Sequence, residues 1–324
     1  MRTRLRIPSA AMAILLCLMA GMANAQRYPA RSIRLIVPYD AGGPTDVIAR
    51  AAAQRIAEGI GGAVVVENRP GAGTILGAEL VAKSAPDGYT LFLTTGTAVS
   101  INQHMFKKLP YNPEKDFVAI GMLGASPYGL FAHPSVPANT LKELLTYAKA
   151  NPGKLNVGLG GAGTPPHFAL QMLEMASGAS FTGVMYKGTA PALGDLLDAR
   201  IQMILTSPVS MLPHVRAGKL KAFAITSATR FQQMPDVPAV SELYPGFEAQ
   251  SWNAIVAPAG TARDIVDRIN AEIQKFTNDP VTRDKMLGMG MVLEGGTPEQ
   301  LAAHIKLETA RWGALIRKLG LTLQ

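Results

Sequence analysis

Cysteine is almost missing: the 324 residues carry one, Cys17, and it lies in the opening segment. Without that segment the chain has neither a disulfide nor a thiol nucleophile, and its fold rests on its core alone. Charge is also scarce. Charged residues make up 17% of the chain and aromatics 6%, against 48% hydrophobic, which excludes a disordered, coiled-coil or collagen-like protein. After the opening segment no run of about 20 apolar residues is free of charge, proline and glycine, which argues against a transmembrane helix. His104, His133, His167, His214 and His304 stand far apart with no metal-binding spacing, and there is no G-x-S-x-G nucleophile elbow. The 15 methionines read as core fillers.

What is present begins with a leader. Arg2, Arg4 and Arg6 precede an apolar run over 14–20 and the small-residue signature Ala23-Asn24-Ala25, the pattern of a secretory signal cleaved after Ala25. The apolar run is too short for the roughly 20 residues of a spanning helix. Bulky Leu16 before Cys17 argues against lipid attachment there. Removing the three arginines lowers the formal charge from +8 to +5, too mild to suggest nucleic-acid binding. Export without disulfides suits a bacterial periplasm.

Single cores stop growing near about 250–300 residues, so two lobes are expected. Short aliphatic or β-branched runs over 33–38, 63–67, 90–94, 155–159, 183–186, 201–205, 222–226 and 254–257 read as buried strands. Apolar residues recur at helical spacing over 47–56, 75–83, 141–150, 168–176, 192–199, 265–276 and 298–319. Alternating strands and helices predict an α/β fold with parallel sheets.

The two halves share a local design. The strand at 33–38 is followed by Gly42-Gly43-Pro44-Thr45, and the strand at 155–159 by Gly163-Thr164-Pro165-Pro166. Glycine lets the backbone turn and a ligand approach closely, while proline at the first helical position gives up an N–H that has no helical partner anyway. The helix start carries about half a positive charge and suits a carboxylate or phosphate. Segments 40–46, 94–97, 160–164 and 187–189 all follow predicted strands and precede predicted helices. That is the edge of an α/β sheet where ligands bind. The same glycines and threonines also serve simply as turns and caps.

One nucleotide-binding pattern occurs and fails on context. Gly158-Leu159-Gly160-Gly161-Ala162-Gly163 fits G-x-G-x-x-G, yet the segment about 20 residues on, 181–187, has no acid to hold a ribose.

In order along the chain stand Ile36-Val37-Pro38-Tyr39-Asp40-Ala41-Gly42-Gly43-Pro44-Thr45-Asp46, then Glu67-Asn68-Arg69-Pro70-Gly71-Ala72-Gly73, then Pro86-Asp87-Gly88-Tyr89. Further on come Gly163-Thr164-Pro165-Pro166-His167, Tyr186-Lys187-Gly188, Pro235-Asp236-Val237-Pro238 and Ala257-Pro258-Ala259-Gly260-Thr261. This series resembles the Bug proteins, solute-binding receptors of tripartite tricarboxylate transporters. The resemblance spans essentially the whole chain after the leader. It implies a periplasmic-binding-protein (type II-like) fold, with two α/β lobes closing on a small ligand. The first lobe would comprise 26–125 and 251–324, the second 126–250, with crossings near Ser126 and Ser251.

The resemblance also implies the site. Tyr39, Ala41, Gly42, Thr45 and Asp46 would form the first-lobe pincer around a carboxylate, with Thr94, Thr95 and Gly96 along its side. Gly163, Thr164 and His167, together with Tyr186, Lys187 and Gly188, would face them from the second lobe, with Ser207 as a further candidate. Each has a plainer reading. Asp46 sits where a first-turn acid satisfies backbone amides. His167 could cap or pack, Lys187 could be a solvated strand-end charge, and Tyr39 and Tyr186 could close over the core edge. Four places depart from the usual pattern: Asp40 where a small or apolar residue is commoner, Thr74 for a glycine, Gln171 for a helix glutamate, and Asp198-Ala199 for paired glycines, the last read as a turn difference. A carboxylate at Asp40 would repel a second negative charge on the ligand, pointing to a neutral amide, amino acid or aromatic carboxylate in place of a dicarboxylate.

The expected protein is thus a monomeric extracytoplasmic receptor, not an enzyme, with no cofactor and no metal. It would take a small organic carboxylate or a related amino acid or amide and deliver it to membrane permease subunits. A receptor signalling to a membrane kinase shares these features, and an exported enzyme acting on a small carboxylate is the alternative of another class.

Overall fold

The computed structural model describes residues 28–160, 164–186 and 188–320. The expected leader and its cleavage site, Gly163 and Lys187 lie outside them.

Among the described residues eleven strands form two sheets. The first contains β1 (Ile33–Val37), β2 (Val64–Asn68), β3 (Thr90–Thr95), β4 (Phe117–Pro127), β10 (Gln250–Pro258) and β11 (Val292–Leu293), in the order β11-β4-β10-β3-β1-β2. The second contains β5 (Gly129–Ala132), β6 (Asn156–Leu159), β7 (Thr182–Met185), β8 (Met203–Thr206) and β9 (Lys221–Ile225), in the order β7-β6-β8-β5-β9. The helices are α1 (Pro44–Ile60), α2 (Ile75–Ala82), α3 (Asn102–Met105), α4 (Leu141–Ala150), α5 (Pro165–Ser177), α6 (Thr189–Leu197), α7 (Pro208–Arg216), α8 (Arg263–Asn278), α9 (Pro280–Gly288) and α10 (Pro298–Leu319). Among the described residues none is long and apolar enough to cross a membrane.

The expectation of parallel sheets is corrected. β1 pairs in parallel with β2 and β3, and β6 with β7 and β8, but β10 runs antiparallel to β3 and β4, and β5 antiparallel to β8 and β9. The antiparallel strands are those that pass between the sheets. Passing β4 directly into β5 needs no crossover helix, so the alternation of strand and helix breaks there. Sequence reading missed β4 for the same reason. Its run is broken by Gly121 and Gly124, which close packing demands: a Cβ on Gly124 would lie 2.4 Å from the Val292 carbonyl, and one on Gly121 would lie 2.9 Å from Asn270 Nδ2.

The two passages between sheets lie side by side, with Ser126 paired to Ser251 in the β4–β10 ladder. Buried Thr226 joins them. Its hydroxyl accepts from the Tyr128 N–H at 2.9 Å and donates to the Ala249 carbonyl at 2.5 Å. Each sheet is covered on both faces. Ile33, Leu35, Ile48, Ile56 and Ile273 pack on one side of the first, and Ile36, Phe92, Val99 and Trp252 on the other. Leu144, Val157, Leu170 and Phe223 fill one side of the second, with Phe131, Ile204 and Met211 opposite. A smaller apolar cluster joins the lobes: Ile101, Met105, Trp312, Leu315 and Ile316 close around Phe168 of α5.

Candidate functional site

Between the sheets lie two adjoining cavities. The larger, about 380 Å³, is lined by Tyr39, Asp40, Gly71, Gly73, Thr74 and Asn102 from the first lobe and by Thr164 and Pro165 from the second. The smaller, about 190 Å³, is lined by Tyr39, Thr45, Thr95, Gly96, Tyr128, Ser251, Trp252, Glu308 and Trp312, again with Pro165. Tyr39, Thr97, Ile101 and Pro165 line both.

Local rules build the first wall. The turn after β1 passes through Gly42 at φ +85°, and Pro44 opens α1. The first intrahelical bond runs from Val47 N–H to the Gly43 carbonyl, so the amides of Thr45 and Asp46 precede the helical ladder. Asp46 is 2% exposed and fully engaged. Its Oδ2 accepts from the Gly42 N–H at 2.9 Å and from Arg50 Nε at 2.9 Å, and its Oδ1 accepts from Asn68 Nδ2 at 2.9 Å. Burial opposes its ionisation, but the hydrogen bonds from Arg50, Gly42 and Asn68 outweigh it and hold the carboxyl down to about 2. The carboxylate therefore fixes the loop and lines neither cavity.

The same Asn68 amide also donates to the Tyr39 carbonyl at 3.0 Å, and the Tyr39 hydroxyl lies 3.0 Å from Thr95 Oγ1. Burial pushes the Tyr39 phenol up, so it stays a neutral hydrogen-bonding group. Below it Thr94 is fully buried, and its hydroxyl donates to the Thr95 carbonyl at 3.3 Å. The loop after β2 is more strained, with Ala72 at φ +46° and Thr74 at φ +79°, a conformation that a β-branched residue rarely adopts. Asn102 secures it by donating to the Gly73 carbonyl at 2.9 Å.

The second wall is built differently. α5 starts Pro165-Pro166, and neither proline has an N–H, while the Phe168 N–H bonds the Thr164 carbonyl at 3.1 Å. His167 is half-buried, and burial pushes its imidazole down, favouring the neutral ring. Tyr186 lines neither cavity. Its hydroxyl donates to Asp195 Oδ2 at 2.8 Å. Gly188 caps α6, whose first hydroxyl, Thr189 Oγ1, lies 3.0 Å from Thr206 Oγ1. Ser207 caps α7 and faces the other lobe, since a Cβ on Gly290 would lie 3.4 Å from its Oγ.

Of the residues anticipated from sequence, the structure brings Tyr39, Thr45, Thr95, Gly96 and Thr164 together at the cavities. Ala41, Gly42 and Asp46 shape the adjoining loop. Thr94, His167, Tyr186, Gly188 and Ser207 are not among the lining residues. Tyr128, Ser251, Trp252, Glu308 and Trp312 were missed, having no motif to mark them. The Pro70–Gly73 segment carried a signal, its glycines, that was not connected to the site.

A family model described as tripartite tricarboxylate transporter family receptor matches residues 48–321. Protein BugT of Bordetella pertussis is 34% identical over 307 residues, covering 94% of this chain and 94% of that protein. The solved structure of Rhodopseudomonas palustris Rpa4515 with adipate is similar at a TM-score of 0.79 and 30% identity, covering 91% of this chain and 100% of the other. That of MatC from Rhodopseudomonas palustris with bound malate is similar at 0.74 and 32% identity, covering 89% and 100%.

Proposed function

We propose, from the premise that this chain belongs to the tripartite tricarboxylate transporter family receptors, that it captures a small organic carboxylate in the cleft between its sheets and presents it to the membrane subunits of such a transporter. The observation that carries this reading is a pair of adjoining cavities walled by both lobes, with the glycine turn before α1 on one side and the start of α5 on the other.

The Thr45 and Asp46 amides at the start of α1 receive the carboxylate, helped by the helix dipole. The hydroxyls of Tyr39, Thr95, Thr97 and Tyr128 supply further hydrogen bonds. Thr164 closes from the second lobe, with Gly163, His167, Tyr186, Lys187 and Gly188 completing that side and Ser207 at its margin. Ala41, Gly42 and Asp46 hold the loop, and Thr94 supports Thr95 from beneath. Contacts from both walls stabilise the closed form over the open one, which lets a transporter distinguish loaded from empty receptor. The first lobe is taken as 26–125 with 251–324 and the second as 126–250. The mature chain acts in the periplasm after cleavage behind Ala25.

Two relatives hold dicarboxylates, adipate and malate. Here Asp40 and Glu308 line the cavities, and no arginine, lysine or histidine does so among the described residues. Glu308 accepts from Trp312 Nε1 at 2.8 Å and from Arg311 at 3.3 Å, whereas Asp40 has no ion pair or side-chain hydrogen bond among the described residues. The end of the ligand beside Asp40 is therefore read as uncharged or as a hydrogen-bond donor.

Native mass spectrometry of residues 26–324, followed by thermal-shift titration with monocarboxylates, dicarboxylates, amino acids and amides, tests the reading. A ligand at 100 times its Kd adds about 2.7 kcal/mol to stability. A retained, unaltered carboxylate that raises the melting temperature is expected. Conversion of the bound molecule, or no stabilisation by any carboxylate, overturns the proposal.

A further inference from the structure

We infer that the outer end of the seam between α5 and α10 is a docking groove through which a membrane partner, presenting an apolar segment flanked by acidic residues, reads lobe closure. The inference rests on the receptor reading above and names the surface by which loading is recognised.

The two helices each connect the ligand cleft to this groove. α5 starts at the cleft with Thr164 and Pro165, buries Phe168 at 5.5 Å from the Trp312 ring, and carries Met172 and Met175 outward. The spacing 168, 172 and 175 keeps these three on one helical face, while Ala169, Leu170 and Leu173 pack on their own sheet. α10 does the same from the first lobe. Glu308 and Trp312 line the inner cavity, and Ala314, Leu315 and Lys318 line the groove. From Glu308 to Lys318 the helix rises about 15 Å, so a shift at the cleft is carried rigidly to the surface.

The groove measures about 430 Å³, and its walls belong to different lobes, α5 with loop 244–247 on one side and α10 on the other. Any rotation that opens the cleft slides these walls past each other and reshapes it. Its chemistry selects the occupant. The lining is mainly apolar, with Met175 38% exposed, and thioethers adapt to a partner's surface. The only charges lining it among the described residues are cationic, Arg311 and Lys318. Lys318 has no ion pair among the described residues, whereas Arg311 bonds Glu308 and so links the groove to the cleft. A cationic, apolar groove complements an acidic, apolar segment, and such complementarity governs both orientation and encounter rate.

The test immobilises the transporter's membrane subunits in nanodiscs and measures docking of the full mature receptor by interferometry, with adipate, with malate and without either. Met175→Glu and Lys318→Glu are expected to weaken docking at least tenfold while leaving the thermal shifts with adipate or malate as in the wild type. Unchanged docking by both variants overturns the inference. So does a concentration-dependent dimer in sedimentation velocity that Met175→Glu abolishes, since the groove then serves a second copy. If no carboxylate shifts the wild-type melting temperature the receptor reading fails, and variant-sensitive docking measured without ligand still decides the groove.

Discussion

The two walls of the cleft begin from the same strand, turn and proline-led helix, yet they are held in place by different forces. The first-lobe wall is fixed by polar bonds within its own lobe: Asp46 holds Gly42, Arg50 and Asn68, and Asn102 holds the strained 70–74 loop. The second-lobe wall has a second proline, Pro166, where the first has the Thr45 amide, and its helix is seated by Phe168, fully buried in a pocket made largely by the other lobe. One wall is thus preformed before any ligand arrives. In the proposed receptor mechanism the other reaches its position through closure, so the binding equilibrium and the closure equilibrium share the α5 seam.

Phe168→Ala should break this comparison most strongly. It removes a fully buried ring from the interlobe cluster and should cost about 3–5 kcal/mol in urea unfolding. It should also weaken ligand binding by calorimetry, although Phe168 lines neither cavity. Unchanged affinity would mean that closure does not depend on the seam.

Asp46→Asn attacks the other wall. The Asp46 carboxyl lies at about 2 in the fold against 3.8 unperturbed, so folding favours its ionised form. Its stabilisation is complete above about pH 4 and is lost as the pH falls from 4 to 2. The variant should lose about 1–3 kcal/mol at neutral pH and show a flatter decline in that acid window. An identical acid profile for both proteins would remove Asp46 from its organising role.

Asp40→Asn sharpens the account of the ligand's far end. Removing this charge should improve affinity for adipate or malate about threefold to tenfold, the scale of a single partly screened charge interaction. Titration calorimetry at two salt concentrations checks it, and equal affinities would mean that Asp40 does not face the second charge. Tyr39→Phe should have the smallest effect. Loss of the hydroxyl proposed to bond the ligand, held beside Thr95, should cost about 1 kcal/mol in binding, with stability little changed.

Much of this was legible in the residues themselves. Gly42 and Pro44 dictate a turn and a helix start because φ preference and the missing proline N–H are properties of single residues. The eight strands expected from aliphatic runs each overlap an observed strand, because burial on a sheet selects those side chains locally. The ordered motifs from Ile36 to Thr261 pointed to the receptor family that the full-length relatives identify. Tertiary structure decided the rest. No local pattern announces that β10 turns antiparallel, that Asn102 secures a loop near residue 73, or that Glu308 and Trp312 enter a cavity begun by Tyr39. Nor does one show which face of α5 meets its own sheet and which meets α10. Those outcomes depend on the packing of side chains distant in sequence. A helical period says that a residue is buried, whereas the identity of its partner is fixed only when the lobes meet.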